Sequence, residues 1–219
     1  MIFQDRHAAG KELAKRLHRF KELKSRQKLK NVLVLGIPRG GIEVAFEIAK
    51  MLKVPLSIIA TKKLTYASNL EFAIGAVSPD SYILDEKYID NISKDFIEKK
   101  IKEINFEVER KYKPYINKKN FEFKGKTLII ADDGLATGYT MLAAIKYAKS
   151  KSPKKIVVAV PVAAHDSLEK IRKLADKTVY IHVPVNFGAV SSFYHEFAQL
   201  EDKDVKFYLE EAKKFCNRN

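Results

Sequence analysis

A lone cysteine, Cys216, is all the thiol that this chain of 219 residues possesses. That excludes an internal disulfide framework and fits a reducing compartment. Long apolar runs are missing too: the longest, IVVAVPVAA, is too short to span a bilayer. The opening MIFQDRHAAGKELAKRL is polar and charged, unlike a secretory leader. A soluble cytoplasmic protein is therefore expected. Histidine is scarce and scattered, with His7, His18, His165, His182 and His195 in no metal-ligand spacing, so no protein-built metal centre is expected. Low-complexity linkers and internal repeats are absent as well, and the length suits one domain, 1–219, that buries its own core.

Acid is the scarcer charge. Forty-one Lys and Arg face 27 Asp and Glu, a net charge of +14, a balance that favours polyanions such as phosphorylated metabolites, nucleic acid or anionic membrane surfaces. Half of the excess lies in residues 1–30, which hold ten basic and three acidic residues. In that segment Ala9, Leu13, Leu17 and Phe20 recur at helical spacing, which predicts an amphipathic helix over 6–28 with a solvated basic face.

From residue 31 the pattern changes to an alternation of strands and helices. VLVLGI, LSIIA (56–60), TLIIA (127–131), KIVVAVPV (155–162) and TVYIHVPV (178–185) read as buried strands. Helical periodicity follows at 44–52, 86–116, 138–149 and 166–175, with Pro114 closing the second of these. FAIGAV (72–77) and YIL (82–84) read as paired strands of the same sheet, and 188–219 reads as helical after an Asp202 cap. Strands that are apolar throughout imply an α/β fold: a mostly parallel twisted sheet flanked by helices on both faces. The core is expected over 31–185, with a small hood from 1–30 and 186–219.

In such a sheet, ligands sit beyond the carboxyl ends of the strands, where loops run into helix N-termini. Two of these ends are polar and glycine-bearing. In GIPRGG (36–41), Gly40 and Gly41 let backbone amides approach an anion and Arg39 can add charge-assisted hydrogen bonds, although the same string also makes an ordinary turn. In IADDGLATGYT, Asp132 and Asp133 end a strand and the small residues from Gly134 to Thr140 lead into a helix, a phosphate cradle in which Thr137 and Thr140 supply hydroxyls. The string is neither GxGxxG nor a Walker loop. Two acids beside a phosphate site would repel it unless they serve another part of the ligand, and a sugar diol suits them because carboxylates accept hydrogen bonds from hydroxyls. Taken alone, Asp-Asp-Gly is also plain turn chemistry.

As a whole, IIADDGLATGYT resembles the signature of type I phosphoribosyltransferases. FQDRHAAGKELAKRL, VLGIPRGGIEVAFEIAKML, EFAIGAV and FGAVSSFYHEFAQLEDKDV extend the resemblance over nearly the whole chain, toward the substrate-unassigned phosphoribosyltransferase family of bacteria and archaea. The resemblance implies that Asp132 and Asp133 hold the ribose 2′ and 3′ hydroxyls of phosphoribosyl pyrophosphate. Gly134, Ala136, Thr137, Gly138, Tyr139 and Thr140 would then cradle its 5′-phosphate. Arg39, Gly40 and Gly41 would form the pyrophosphate loop, and Lys62 or Lys63 would neutralise the leaving group. Mg²⁺ is expected to arrive with the donor. Residues 65–71 would close over the site, and many members of the class form dimers, so a homodimer is among the arrangements implied.

Ala136 departs from the transferases for 6-oxopurines, which carry an acid there as general base, and it tilts the reading toward an amino-substituted or non-purine acceptor, with Glu71 a candidate acid or base. Phe187, Phe193 and Tyr194 are candidates to stack a nucleobase-like ring. Two other readings stand beside transfer: a regulator that senses donor or nucleotide and contacts nucleic acid through the basic N-terminal helix, and a hydrolase or phosphorylase of phosphorylated ribosyl compounds.

Overall fold

A computed structural model describes residues 1–20, 23, 25–66, 73–79, 81–85, 87, 92–112 and 122–216. The chain opens with α1 (Arg6–His18) and the short α2 (Arg26–Leu29), then β1 (Val32–Gly36), α3 (Gly41–Leu52), β2 (Leu56–Ile58), β3 (Lys62–Thr65), β4 (Ala73–Ser78) and β5 (Ser81–Leu84). It continues with α4 (Lys94–Tyr112), β6 (Thr127–Ala131), α5 (Tyr139–Ser150), β7 (Lys155–Val162), α6 (His165–Arg172), β8 (Lys177–His182), a 3₁₀ turn (Val190–Phe193) and α7 (Asp202–Cys216).

Five strands form one parallel sheet in the order β2-β1-β6-β7-β8. Their residues alternate between two cores, which is why the strands read as continuous apolar runs. Val32, Val34, Ile129, Ala131 and Val157 face α1, α3 and α7, whereas Leu33, Leu35, Leu128, Ile130 and Ile156 face α5 and α6. The pairing of β1 with β6 runs in register from Val32↔Thr127 to Gly36↔Ala131. Both strands therefore end at the same level, and the loops that follow leave the sheet side by side. Since β1 connects toward β2 and β6 toward β7, on opposite sides, this is the point where the strand order reverses and a crevice opens.

Several expectations need correction. The segments 73–78 and 81–84 do pair, but with β3 they form a separate antiparallel sheet, β3-β4-β5. That sheet lies between two helices: Ala76 joins the core of α5, and Leu64, Ile74 and Val77 join the core that includes Ile97, Ile104 and Val108 of α4. The expected helix over 6–28 ends at His18, and Ser25 caps a new one by accepting from the Lys28 N–H at 3.3 Å. Helix α4 spans 94–112, and 113–116 lie outside the described residues. In the tail only 202–216 are α-helical; Asp202 is the first helical residue, and Asp204 reaches back to accept from the Glu201 N–H at 2.7 Å. Of the expected hood, α1 and α7 pack along the sheet with α3. Phe3 and Tyr194 form a bridge that ties the two termini's segments together.

Candidate active site

The loops after β1 and β6 are pressed together. The Ile37 N–H donates to the Ala131 carbonyl at 2.9 Å, and the peptide bond between Pro38 and Arg39 is cis. Gly40 has an ordinary helical backbone (φ −59°), so its smallness is required by its neighbour: a Cβ there would lie 1.9 Å from Asp133 Oδ2. At Gly41 a Cβ would lie 2.7 Å from the Ala131 carbonyl oxygen and 2.9 Å from the Asp132 Cα. The two motifs singled out in the sequence, GIPRGG and ADDG, are thus in direct contact.

Beyond the acids the chain is held at each step. Gly134 packs against Val190, and Leu135 is buried and bridges to Ala163, with its N–H donating to Val162 O at 2.9 Å. The Ser167 hydroxyl donates to the Ala136 carbonyl at 2.5 Å. Gly138 occupies the left-handed region (φ +76°) at the start of α5, a position that favours glycine. Tyr139 is buried and its hydroxyl donates to Asp85 Oδ2, so what it can offer an anion is its backbone amide. Thr137 is exposed and Thr140 half-buried. The 134–138 loop therefore enters the N-terminus of a twelve-residue helix, where first-turn amides and the helix dipole favour an anion.

Strand geometry separates the two candidate lysines. Lys62 pairs across β3 and β4 with Val77, and Lys63 with Ala76, so they project to opposite faces. Lys62 forms an ion pair with Glu107 of α4, while the Lys63 charge reaches Asp132. A cavity of about 180 Å³ lies beside the first loop, lined by residues that include Pro38, Arg39, Thr61, Lys62, Glu107 and Lys111. Arg39 is exposed on its rim, and the buried Thr61 hydroxyl has no hydrogen-bond partner among the described residues. Of the three aromatic candidates, Phe187 packs on Phe193 with ring centroids 5.3 Å apart. Tyr194 is buried, and its hydroxyl donates to the Asp133 carbonyl at 2.6 Å, which makes it a strut for the acid loop and removes it from base stacking. Most of the expected closing loop and Glu71 fall outside the described residues.

Residues 4–198 match the family described as the phosphoribosyl transferase domain. The chain belongs to that family. It is similar to a protein of Mycobacterium tuberculosis named "Putative phosphoribosyl transferase MT0597", with 34% identity over 96% of this chain. The match takes in 47% of that protein, so the chain spans about half the length of the curated relatives it matches. Among solved structures it is similar to TT1426 from Thermus thermophilus, with a TM-score of 0.76, 31% identity and coverage of 96% of this chain and 99% of the other. The parallel sheet flanked by helices is the fold they share.

Within this phosphoribosyl transferase domain, the groups the sequence reading missed are those that hold the acids. Arg6 is 6% exposed and its Nε donates to Asp133 Oδ2 at 2.8 Å. The guanidinium also donates from Nη1 to the Ala198 carbonyl at 2.8 Å, lies 3.5 Å from Glu43 and sits 3.7 Å over the Phe197 ring. Next to it His7 bonds Glu47 at 2.9 Å and the Tyr208 hydroxyl at 3.0 Å, and Tyr208 donates to Glu43 at 2.8 Å. The Glu43 and Glu47 carboxylates raise His7 to a pKa of about 9. Burial is the largest influence on Glu43 and pushes it up, but the hydrogen bonds and charges of its cationic and phenolic neighbours outweigh it and leave it lowered.

The two acids are unequal. Burial pushes Asp132 well above the usual carboxylate range and the neighbouring Asp133 adds to this, with only partial relief from Arg6 and Lys63. Burial pushes Asp133 up as well, but Arg6 opposes it through both charge and hydrogen bond. One signal of this was legible. Asp5 caps α1 by accepting from the Ala8 N–H at 2.6 Å, and Arg6 and His7 follow with no acid in the first turn, which places cations at the positive end of the helix dipole. Such a misplacement calls for carboxylates elsewhere, and they are Asp133, Glu43 and Glu47. Among the described residues no group of three His, Cys, Asp or Glu could cage a metal, and no helix is long and apolar enough to cross a membrane.

Proposed function

We propose that this domain transfers the 5-phosphoribosyl group of phosphoribosyl pyrophosphate to a nitrogenous acceptor, with a nucleobase as the leading class, and releases pyrophosphate. The observation that carries this reading is the contact between Gly40 and Asp133, so close that no side chain fits between them. It joins an anion-binding turn that bears Arg39 to a pair of carboxylates, with the N-terminus of α5 just beyond. A pyrophosphate, a diol and a monophosphate, in that order, are the parts of one such donor.

In this reading Asp132 and Asp133 accept hydrogen bonds from the ribose hydroxyls, and the 134–140 loop surrounds the 5′-phosphate with amides and the Thr137 and Thr140 hydroxyls. Arg39, the Gly40 and Gly41 amides and Lys63 receive the leaving pyrophosphate. Lys62 would have to leave Glu107 to join them. With no group of three His, Cys, Asp or Glu among the described residues able to cage a metal, a magnesium ion would come with the donor and supply further charge neutralisation. The anomeric carbon becomes cation-like as its bond to pyrophosphate breaks, and the acids' negative charge favours that state without a covalent step. Ala136 offers no base at the position that serves 6-oxopurines, so proton removal from the acceptor falls to another group or to the acceptor's own nitrogen.

The test is to incubate the protein with magnesium, phosphoribosyl pyrophosphate and a panel of bases and amines, and to measure pyrophosphate release for each. Release that depends on one acceptor identifies the transferase. Ribose 5-phosphate formed without any acceptor indicates a hydrolase. Tight donor binding with no release across the panel points to the sensing reading, for which the basic excess in residues 1–30 is the supporting observation; steep salt dependence of nucleic-acid binding would then mark it.

A further inference from the structure

Arg6 has no place in the motifs that carry the donor, yet it makes the shortest ion pair to the acid loop. Asp5 fixes it as the first residue of α1. Three further contacts then hold its guanidinium: the Ala198 carbonyl, Glu43 and the face of Phe197. A long side chain immobilised in this way is pre-organised, and little entropy is lost when it engages its last partner. On Asp133 the consequence is geometric. Oδ2 is enclosed between Arg6 Nε and the α-carbon of Gly40, which leaves Oδ1 as the oxygen that can accept from a ligand, while Tyr194 fixes the carbonyl of the same residue.

We infer that Arg6 is the positioning residue of the acid pair: by holding one oxygen of Asp133 it presents the other to the donor's ribosyl diol. This rests on the donor assignment above and adds to it a residue from the far end of the chain. The charged and titratable groups around Asp133 are Asp132 on its own loop, Arg6 from α1, Glu43 from α3 and Tyr194 after the 3₁₀ turn, with Lys63 of β3 acting on Asp132. Of these, Arg6 is the cation in direct contact with Asp133. Its removal takes away the main opposition to burial, so Asp133 holds its proton to higher pH, and donor binding that needs the carboxylate is lost from the acid side upward.

The experiment has two readouts. Binding of phosphoribosyl pyrophosphate with magnesium is measured by calorimetry between pH 5 and 8 for the native protein, Arg6→Gln and Arg6→Lys. Independently, in ligand-free protein, the titration of Asp133 is followed by carboxyl carbon NMR, its resonance assigned with Asp133→Asn. Arg6→Gln should weaken the donor by about tenfold or more at pH 7, as expected for a lost charge-assisted hydrogen bond, move the acid limb of binding upward and raise the Asp133 titration. Arg6→Lys should keep the titration near its native position while affinity still falls, because the charge survives and the Nε contact does not. Native affinity and native Asp133 titration in both variants would show that Arg6 only packs. If Arg6→Gln does not fold, Arg6→Lys decides alone, with unchanged affinity overturning the inference. If the native protein fails to bind the donor, the donor assignment falls, while the NMR titration still tests whether Arg6 governs Asp133.

Discussion

Gly40→Ala separates contact from conformation. The backbone at residue 40 is right-handed (φ −59°, ψ −39°), so alanine is comfortable there and any loss must come from the added methyl group. That group would sit 1.9 Å from Asp133 Oδ2, 2.7 Å from its Cγ and 3.2 Å from Arg6 Nε. An ordinary contact needs well over an ångström more, and the aspartate is short and tethered, so it must swing away and release Arg6. Losing a hydrogen bond between charged groups costs about 1.5–3 kcal/mol, and crowding a packed site typically costs about 1–3 kcal/mol. With partial relaxation we expect a destabilisation of about 2–3 kcal/mol, which lowers Tm by roughly 4–12 °C for a chain of this size.

Two other glycines provide the comparison. Gly188→Ala meets nothing within 4 Å and should be near neutral, and Gly125→Ala also has open space but a φ of +72°, so it should lose only about 1 kcal/mol to backbone strain. Urea unfolding of the three variants gives the ranking directly. If Gly40→Ala unfolds at the same urea concentration as Gly188→Ala, the two loops are not packed as described, and the joined site built on that contact is lost with it.

Other expectations follow from particular contacts. Asp133→Asn should weaken donor binding by about 2 kcal/mol, roughly thirtyfold in Kd, through loss of a charge-assisted diol contact; unchanged calorimetric affinity would displace the ribose from this acid. Because β3 turns its two lysines to opposite faces, Lys63→Ala should reduce donor affinity more than Lys62→Ala, and the reverse order would show that Lys62 exchanges Glu107 for the ligand. His7 is raised from 6.5 to about 9 by its carboxylate partners, so its stabilisation is complete below pH 6.5 and disappears as pH rises through 9. Since the ring is one-third exposed, we discount the effect to about 1–2 kcal/mol. His7→Gln should flatten the change in urea midpoint between pH 6 and pH 9.5, and an unaltered slope would assign that pH dependence elsewhere.

What could be read beforehand follows from the kind of signal each element carries. The strands β1, β6 and β7 sit between two helix layers, so beyond the opening Thr127 and Lys155 their residues are apolar and the run itself marks the strand. β3 escaped because its sequence, KKLT, exposes two lysines on a short strand of a sheet that covers itself with a helix on either side. The break after His18 was hidden by apolar residues that continue at helical spacing, through Phe20 and Leu23, into a capped second turn. At the site, the residues that touch ligand in the proposed reading form contiguous strings and were legible as such. Those that hold the strings, Arg6, Glu43 and Tyr194, come from three distant segments and become neighbours only in three dimensions. Tyr194 reads as a ring-stacking residue because an aromatic in an irregular segment gives no sign in the sequence of which way it faces.

The tie between residues 3–6 and 194–198 has a consequence for synthesis. Arg6 and Ala198, joined by one hydrogen bond, are 192 positions apart, and Phe3 pairs with Tyr194 beside them. While the chain leaves the ribosome, the sheet can assemble around β1, β6 and β7, but Asp133 still lacks its strut, and Arg6 lacks its carbonyl and aromatic partners, until residues 194–198 have emerged. Contacts of such separation form late. A nascent chain that stops short of residue 194 therefore carries both signature motifs intact and yet an unbraced acid loop, so that in the proposed reading competence to bind the donor waits for residues 194–198.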